Sequence, residues 1–187
     1  MTHYCKRPFD RPYFENYCSE GAYDDVFLYY SEVRNCIRML SQAKWEIASV
    51  AVLGTATGKV LQEFDQAWNL KPYGCELSAW AYEKIPSTYR RRIHNCDLRD
   101  YLPWLRARRR KFDLVFSNSL FYLPKKDIDQ VLEDLAAVTR LVHFHTAVQG
   151  DPWICIDEPY DWWQAKFAKH GFYRSSSASL WRRQLTA

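Results

Sequence analysis

Two spacings of apolar residues alternate along the chain and predict a repeating order of strands and helices. Short, nearly continuous apolar runs such as residues 47–53 (IASVAVL) end at a glycine or at a polar residue. Runs of this kind are typical of parallel strands that are buried on both faces. Between them, apolar residues recur at steps of three and four, as in residues 125–138, which predicts amphipathic helices.

The complete pattern predicts five strand and helix repeats that close with a pair of short strands. Repeats of this kind place parallel strands side by side through right-handed crossovers. We therefore predict an α/β fold with a doubly wound, mostly parallel seven-stranded sheet that has helices on both faces. The predicted strands are 47–53, 71–76, 92–96, 112–117 and 140–146, with the closing pair in 172–183, and the predicted helices are 23–43, 58–67, 79–85, 101–108, 125–138 and 160–170.

The length of 187 residues predicts a single domain, with an N-terminal arm and helix in residues 1–45 and the core in residues 46–187. Residues 1–22 are rich in aromatic residues without a clean period, and we expect them to form an irregular arm at a pocket edge or lid. Residues 147–159 are the longest irregular stretch after the arm. Long connections at the carboxyl edge of such sheets often carry substrate contacts, so we expect them there.

Composition and charge narrow the class of protein. The net charge of +4 is too small to indicate a nucleic-acid partner without a clustered basic face. We interpret the two basic clusters, residues 90–92 and 106–111, as solvated helix ends, where the helix dipole favours cations. The alternative is that they contact phosphates or an acidic substrate. Six cysteines without a CxxC pair predict reduced thiols and no metal site. The absence of an apolar run of about 20 residues predicts a soluble, cytoplasmic protein without membrane contact.

Polar residues follow four successive predicted strands. The turn 54–58 (GTATG) follows the first strand, and Glu76 ends the second strand at a position where a carboxylate can accept the hydroxyl protons of a ribose. Asp97 follows the third strand, while Asn118 and Ser119 follow the fourth. Each residue alone is typical of a helix N-cap or a loop, and the glycine turn alone has even odds of being purely structural. Four successive strands that are each followed by such residues are much less common than any one of them, and together they indicate a ligand site.

At these positions the chain resembles the class I S-adenosylmethionine-dependent methyltransferase family over residues 47–183. The similar segments are VAVLGTATGKV, CDL, FDLVFSNSLFYLP and DWWQAKFAKHGF. The resemblance implies S-adenosylmethionine as the cofactor and S-adenosylhomocysteine as the product. It also implies cofactor contacts from Gly54, Thr55, Ala56, Gly58, Glu76, Leu77, Asp97, Leu98, Asn118 and Ser119.

The glycine turn differs from the family pattern at two positions. Val52 stands where the family usually has an acidic residue, and Ala56 stands in place of the middle glycine. An alanine at position 56 is compatible with the turn if its φ is negative. These differences motivate an alternative hypothesis, a methyltransferase-like domain without catalysis that binds the cofactor or a protein partner.

The fourth-strand motif bears on the acceptor. Family members that methylate base amino groups commonly carry Asp or Asn followed by Pro-Pro and an aromatic residue, whereas this chain has Asn118-Ser119-Leu120-Phe121. A small-molecule acceptor is therefore favoured, and an RNA-modifying methyltransferase that uses the basic clusters remains an alternative. A nicotinamide dehydrogenase is disfavoured, because the third glycine of its fingerprint would fall at Lys59.

Direct in-line methyl transfer requires alignment, and it requires a base only when the acceptor must lose a proton. His145, near the carboxyl end of the fifth strand, is the candidate base. Strand alternation puts His143 on the same face, so one of the two is expected to be a packed histidine. Tyr122 and Trp153 are candidate walls of an acceptor pocket, with simple packing as the more common role of such aromatic residues.

Overall fold

The computed structural model describes residues 9–14, 26–145, 153–175 and 179–184. The helices in this part of the chain are α1 (Val26–Gln42), α2 (Lys59–Gln62), α3 (Ala79–Lys84), α4 (Ser87–Arg90), α5 (Leu98–Ala107), α6 (Ile128–Val138) and α7 (Tyr160–Lys169). The strands are β1 (Ser49–Leu53), β2 (Lys71–Glu76), β3 (Ile93–Asn95), β4 (Leu114–Ser117), β5 (Leu141–Phe144), β6 (Phe172–Arg174) and β7 (Leu180–Arg183).

The strands form a seven-stranded sheet in the order β3-β2-β1-β4-β5-β7-β6. β2 pairs in parallel with β1 and β3, and β4 pairs in parallel with β5. Only β7 is antiparallel to its neighbours β5 and β6 among the described strand pairs. The predicted α/β class with a mostly parallel seven-stranded sheet is confirmed.

The chain divides into two compact units, and the first contains Pro8–Tyr101 with strands β1 to β3. Its core is formed by the four apolar residues from Val50 to Leu53 together with Leu61, Phe64 and Ile85, all of which are buried. β2 passes unusually close to β1, because a Cβ atom added at Gly74 would lie 2.1 Å from the carbonyl oxygen of Val52. Position 74 therefore requires glycine, because any side chain there would collide with the backbone of β1.

The second unit contains Leu102–Ala187 with strands β4 to β7. Its core is aromatic, and the ring of Phe167 stacks on Trp181 at a centroid distance of 4.4 Å. Phe144 packs against Trp163 at 4.7 Å. These four side chains are almost fully buried, so these aromatic residues serve the packing of the unit.

Several element boundaries differ from those predicted. β2 begins and ends where the pattern placed it, but α5 begins at Leu98 rather than at residue 101 because Asp97 caps it. The helix predicted at 58–67 consists of α2 followed by a π-helical turn, Glu63–Ala67. The short helix α4 was not predicted. The end of the fifth predicted strand, residue 146, and the first part of the predicted irregular stretch, residues 147–152, lie outside the described residues.

One arginine of each basic cluster makes contacts with nearby residues of the fold. The guanidinium of Arg90 donates to the carbonyl oxygens of Glu83 and Ile85 at the end of α3, at 2.7 and 2.9 Å. Arg106 pairs with Glu133 and Asp134 of α6 at 3.1 and 2.9 Å. These contacts agree with the interpretation of both clusters as helix ends.

Candidate functional site

The turn after β1 is tied to the end of β2 by its backbone. The amides of Gly54 and Thr55 donate to the carbonyl oxygen of Cys75 at 3.0 and 3.2 Å. Gly54 and Gly58 have φ values of 77° and 90°, a left-handed conformation that side chains rarely adopt. A Cβ atom at Gly58 would also lie 3.2 Å from a methyl carbon of Ile85, so both glycines suit a tight turn.

Ala56 does not have the negative φ that an alanine prefers. Its φ is 48°, in the left-handed region where a residue with a Cβ atom costs roughly 1–2 kcal/mol. The condition under which an alanine is compatible with the turn, a negative φ, is therefore not met. The Ala56 amide donates to Oε2 of Glu76 at 2.7 Å, and this charge-assisted hydrogen bond stabilises the strained residue.

Glu76 lies at the end of β2 with 5% of its surface exposed. Besides the bond from Ala56, its Oε1 accepts the amide of Ser78 at 2.8 Å. Burial raises the pKa of Glu76 to about 7, although the amides of Ser78 and Ala56 act in the opposite direction. The carboxylate is thus held between the turn and the start of α3, and its protonation state is sensitive to pH near neutrality.

The acceptor atoms of Glu76 fit the ribose of the cofactor that the sequence implies. A carboxylate offers about four lone-pair positions. The short hydrogen bonds from the amides of Ala56 and Ser78 use one position on each oxygen, and the backbone of Leu77 and Thr55 also interacts with the carboxylate. In the same turn, Oγ1 of Thr55 is buried without a hydrogen-bond partner among the described residues. A polar ligand at this turn would meet unused hydrogen-bonding capacity.

Asn95 holds the backbone beside Glu76, a role that the sequence did not predict. Its Nδ2 donates to the carbonyl oxygens of Glu76 and Leu77 at 2.8 and 3.3 Å. The bonds extend the pairing of β2 with β3 past the last ladder position, since Glu76 and Asn95 are register partners. An Asn at the end of an edge strand was the available signal, but it is too common in turns to be diagnostic.

Asp97 is buried and caps α5. Its Oδ1 accepts the amide of Arg99 at 2.8 Å, and its Oδ2 accepts the Nη2 of the same residue at 2.7 Å. The following residue, Leu98, is also buried. Burial, the neighbouring Cys96, and the charges of Glu76 and Asp97 raise the pKa of the Cys75 thiol well above its ordinary value. The carboxylates of Glu76 and Asp97 therefore both lie near the Cys75 thiol, at the carboxyl ends of β2 and β3.

The predicted residues after β4 lie in the second unit. Asn118 and Ser119 are both partly exposed. The amide of Ser119 donates to Oγ of Ser117 at 3.2 Å, which shapes the turn that follows the strand. A 3₁₀ turn, Leu120–Tyr122, comes next.

The two predicted wall residues, Tyr122 and Trp153, belong to segments that are joined by hydrogen bonds. The amides of Cys155 and Ile156 donate to the carbonyl oxygen of Phe121 at 2.9 and 3.0 Å. Tyr122 packs edge-on against the Phe121 ring at 4.5 Å. The structure thus brings the segment around Trp153 to the turn that holds Tyr122.

The two histidines of the fifth strand have different surroundings. His143 is buried and stacks on Phe116 with ring centroids 4.5 Å apart. Burial, with a smaller effect of His145, lowers the pKa of His143 to about 3, so it is neutral at physiological pH. His145 follows β5 and is exposed. His143 is thus the packed histidine of the pair.

The described residues contain no group of three or more His, Cys, Asp or Glu side chains that could hold a metal ion. Of the cysteines, Cys36, Cys75, Cys96 and Cys155 are free thiols. None of the helices in the described ranges has the length and apolar character that crossing a bilayer requires.

Comparison with known proteins agrees with this geometry. A methyltransferase domain family model matches residues 50–141. Magnesium protoporphyrin IX methyltransferase from Synechocystis, solved with bound S-adenosylhomocysteine, superposes with a TM-score of 0.66 at 13% identity, covering 93% of this chain and 97% of that one. An S-adenosylmethionine-dependent methyltransferase from Archaeoglobus fulgidus gives a TM-score of 0.65 at 14% identity, with coverage of 79% and 69%.

A third similar structure is phosphoethanolamine N-methyltransferase 2 from Haemonchus contortus, solved with phosphomonomethylethanolamine and S-adenosylhomocysteine. Its TM-score is 0.56 at 13% identity, and the match covers 87% of this chain and 44% of that one. No curated protein sequence matches the chain significantly. Residues 50–141 therefore belong to a methyltransferase domain family, and the strand order and the similar structures show the class I S-adenosylmethionine-dependent methyltransferase fold.

Proposed function

We propose that this protein is an active methyltransferase that transfers a methyl group from S-adenosylmethionine to a small molecule. The observation that carries the proposal is the buried Glu76 carboxylate. It lies at the end of β2, is 5% exposed and accepts hydrogen bonds from the amides of Ala56 and Ser78. Burial disfavours the charged form of Glu76 and raises its pKa to about 7, and hydrogen bonds from the hydroxyls of a ligand would offset this cost.

The proposed cofactor site is built from the ends of β1, β2 and β3. Glu76 accepts the ribose hydroxyls, and Asp97 accepts the amino group of the adenine. The turn approaches the cofactor through its backbone, since glycines at both of its ends leave room there. When bound, the cofactor supplies a methyl group that its sulfonium activates. The remaining proposed contacts are those of Thr55, Leu77, Leu98, Asn118 and Ser119.

The protein itself must then align the cofactor with the acceptor, exclude water and, where needed, remove a proton from the acceptor. In the second unit we propose Tyr122 and Trp153 as acceptor contacts, because hydrogen bonds join their segments. His145 is the proposed proton acceptor, and it is exposed directly after β5. We propose residues 46–187 as a single catalytic core and residues 1–45 as its arm and helix.

A small-molecule acceptor is supported by two observations. The similar structures include enzymes named for magnesium protoporphyrin IX and for phosphoethanolamine. In addition, Arg106 is paired with two carboxylates and Arg90 donates to backbone carbonyl oxygens, so these two guanidinium groups are less available to bind an RNA backbone.

The test begins with calorimetry of S-adenosylmethionine and S-adenosylhomocysteine. We expect both to bind, and we expect Glu76→Gln to weaken binding while Glu83→Gln, an exposed carboxylate on α3, leaves it unchanged. Formation of S-adenosylhomocysteine is then measured with tetrapyrrole carboxylates, phosphorylated amino alcohols and tRNA as acceptors. Absence of binding by both ligands at millimolar concentration, or turnover with tRNA alone, would refute the proposal.

A second candidate function is cofactor binding without catalysis. Val52 is buried and apolar at the family's acidic position, and Ala56 is strained at its glycine position. If this candidate is correct, S-adenosylhomocysteine binds but no acceptor yields product. The double variant Val52→Asp with Ala56→Gly would then be expected to tighten cofactor binding without creating activity.

A further inference from the structure

The Asp97 carboxylate is covered by the side chain of Arg99. Only 3% of the Asp97 side chain is exposed, and the Arg99 side chain over it is 19% exposed. Besides the capping bond from the Arg99 amide, Nε and Nη2 of the guanidinium donate to Oδ2 at 3.1 and 2.7 Å. One residue therefore supplies three hydrogen bonds to the carboxylate that we assign to the adenine.

The hydrogen bonds from the Arg99 amide and from its guanidinium differ in how easily they can be broken. The amide bond to Oδ1 belongs to the first turn of α5 and persists as long as the helix does. The guanidinium bonds to Oδ2 depend only on the rotamer of Arg99, and the partly exposed side chain can turn toward solvent. Because both charges are largely shielded from water, breaking this pair costs more than breaking an ion pair at an open surface.

We propose that Arg99 competes with the adenine amino group for the Asp97 carboxylate and thereby sets the affinity for the cofactor. This inference rests on the proposed function, in which Asp97 receives that amino group. The guanidinium satisfies the buried charge in the ligand-free protein, and the cofactor must displace part of this contact to bind. The same competition speeds release of S-adenosylhomocysteine, because Arg99 can take back the carboxylate as the product leaves.

The experiment measures dissociation constants for two probes, S-adenosylhomocysteine and its analogue that lacks the 6-amino group of the base. In Arg99→Met the carboxylate loses its competing donor, so we expect the dissociation constant of S-adenosylhomocysteine to fall about three- to tenfold. The analogue cannot use the carboxylate, and its dissociation constant should not change. Arg99→Lys should lie between the wild type and Arg99→Met, and Arg91→Met, an exposed arginine before β3, should match the wild type.

Asp97→Asn separates this inference from the proposed function. If Asp97→Asn binds S-adenosylhomocysteine as tightly as the wild type, the adenine position in the proposed function is wrong. If Asp97→Asn weakens binding but Arg99→Met does not tighten it, only the competition is refuted. Equal changes for both probes in Arg99→Met also refute it, because they indicate a role that does not involve the amino group.

Removal of the guanidinium leaves a buried charge with fewer donors, so Arg99→Met is expected to melt at a lower temperature than the wild type without ligand. Thermal melts with and without S-adenosylhomocysteine monitor this effect. If Arg99→Met does not fold, Arg99→Lys and Arg99→Gln are compared with the same two probes. A weaker affinity for S-adenosylhomocysteine in both would overturn the proposal.

Discussion

Replacing Ala56 by glycine should stabilise the protein, although glycine is ordinarily a destabilising substitution. In a left-handed conformation an L-residue costs roughly 1–2 kcal/mol, and the φ of 48° puts Ala56 there. Glycine removes this cost but gives the unfolded chain more freedom, which offsets about 0.5–1 kcal/mol. The hydrogen bond from residue 56 to Glu76 uses the backbone amide and is retained. The expected net gain in the free energy of unfolding is about 0.5–1 kcal/mol.

The assay is urea denaturation followed by circular dichroism, with thermal melting as a second readout. For a chain of this size, about 1 kcal/mol corresponds to a shift of roughly 2–4 °C in the melting temperature. Ala165→Gly is the matched control, because Ala165 is exposed within α7 and its replacement should cost about 1 kcal/mol.

The two substitutions are chemically identical, so their opposite signs isolate the backbone conformation. If Ala56→Gly lowered the midpoint as Ala165→Gly is expected to do, Ala56 would not be strained in solution. The view that Glu76 offsets strain in the turn would then have to be abandoned.

Three further predictions concern β2. The pKa of Glu76 is raised from 4.5 to about 7 in the folded protein, so as the pH rises the unfolded chain loses the Glu76 proton before the folded protein does. The free energy of unfolding should therefore fall between pH 4.5 and about pH 7, by up to about 3 kcal/mol. Glu76→Gln should remove this pH dependence in urea titrations, and an unchanged profile would show that Glu76 is not the group responsible. Glu76→Ala should weaken binding of S-adenosylmethionine by about 1–3 kcal/mol in calorimetry, and unchanged affinity would mean that the ribose is held elsewhere. Gly74→Ala should prevent stable folding, because its Cβ atom would lie 2.1 Å from the Val52 carbonyl oxygen; a normal melting curve would contradict this close approach.

The sequence was sufficient for the parts of the fold that depend on residue pattern. The bounds of β2 and the position of Glu76 at its end were predicted, because a short buried strand between turn residues has few alternatives. The start of α5 was not predicted, although Asp97 is a favoured N-cap residue, because two of the three residues between Asp97 and Tyr101 are charged and carry no apolar period.

Other features could not be predicted because they depend on three-dimensional closure. The left-handed φ of Ala56 follows from the path of the turn and contradicts the preference of alanine. The contact of Arg99 with Asp97 depends on a rotamer, and a sequence motif does not specify rotamers. The need for glycine at position 74 arises from the close pairing of β1 with β2.

The bond between Glu76 and the Ala56 amide has a consequence for how the family's members should be compared. A carboxylate at this position serves the stability of the turn as well as ligand recognition, so it can persist under selection for folding alone. Because the bond uses the backbone amide, loss of Glu76 would destabilise the turn of a relative without catalysis whether residue 56 is alanine or glycine. Retention of this acidic residue is therefore weak support for activity in such a relative.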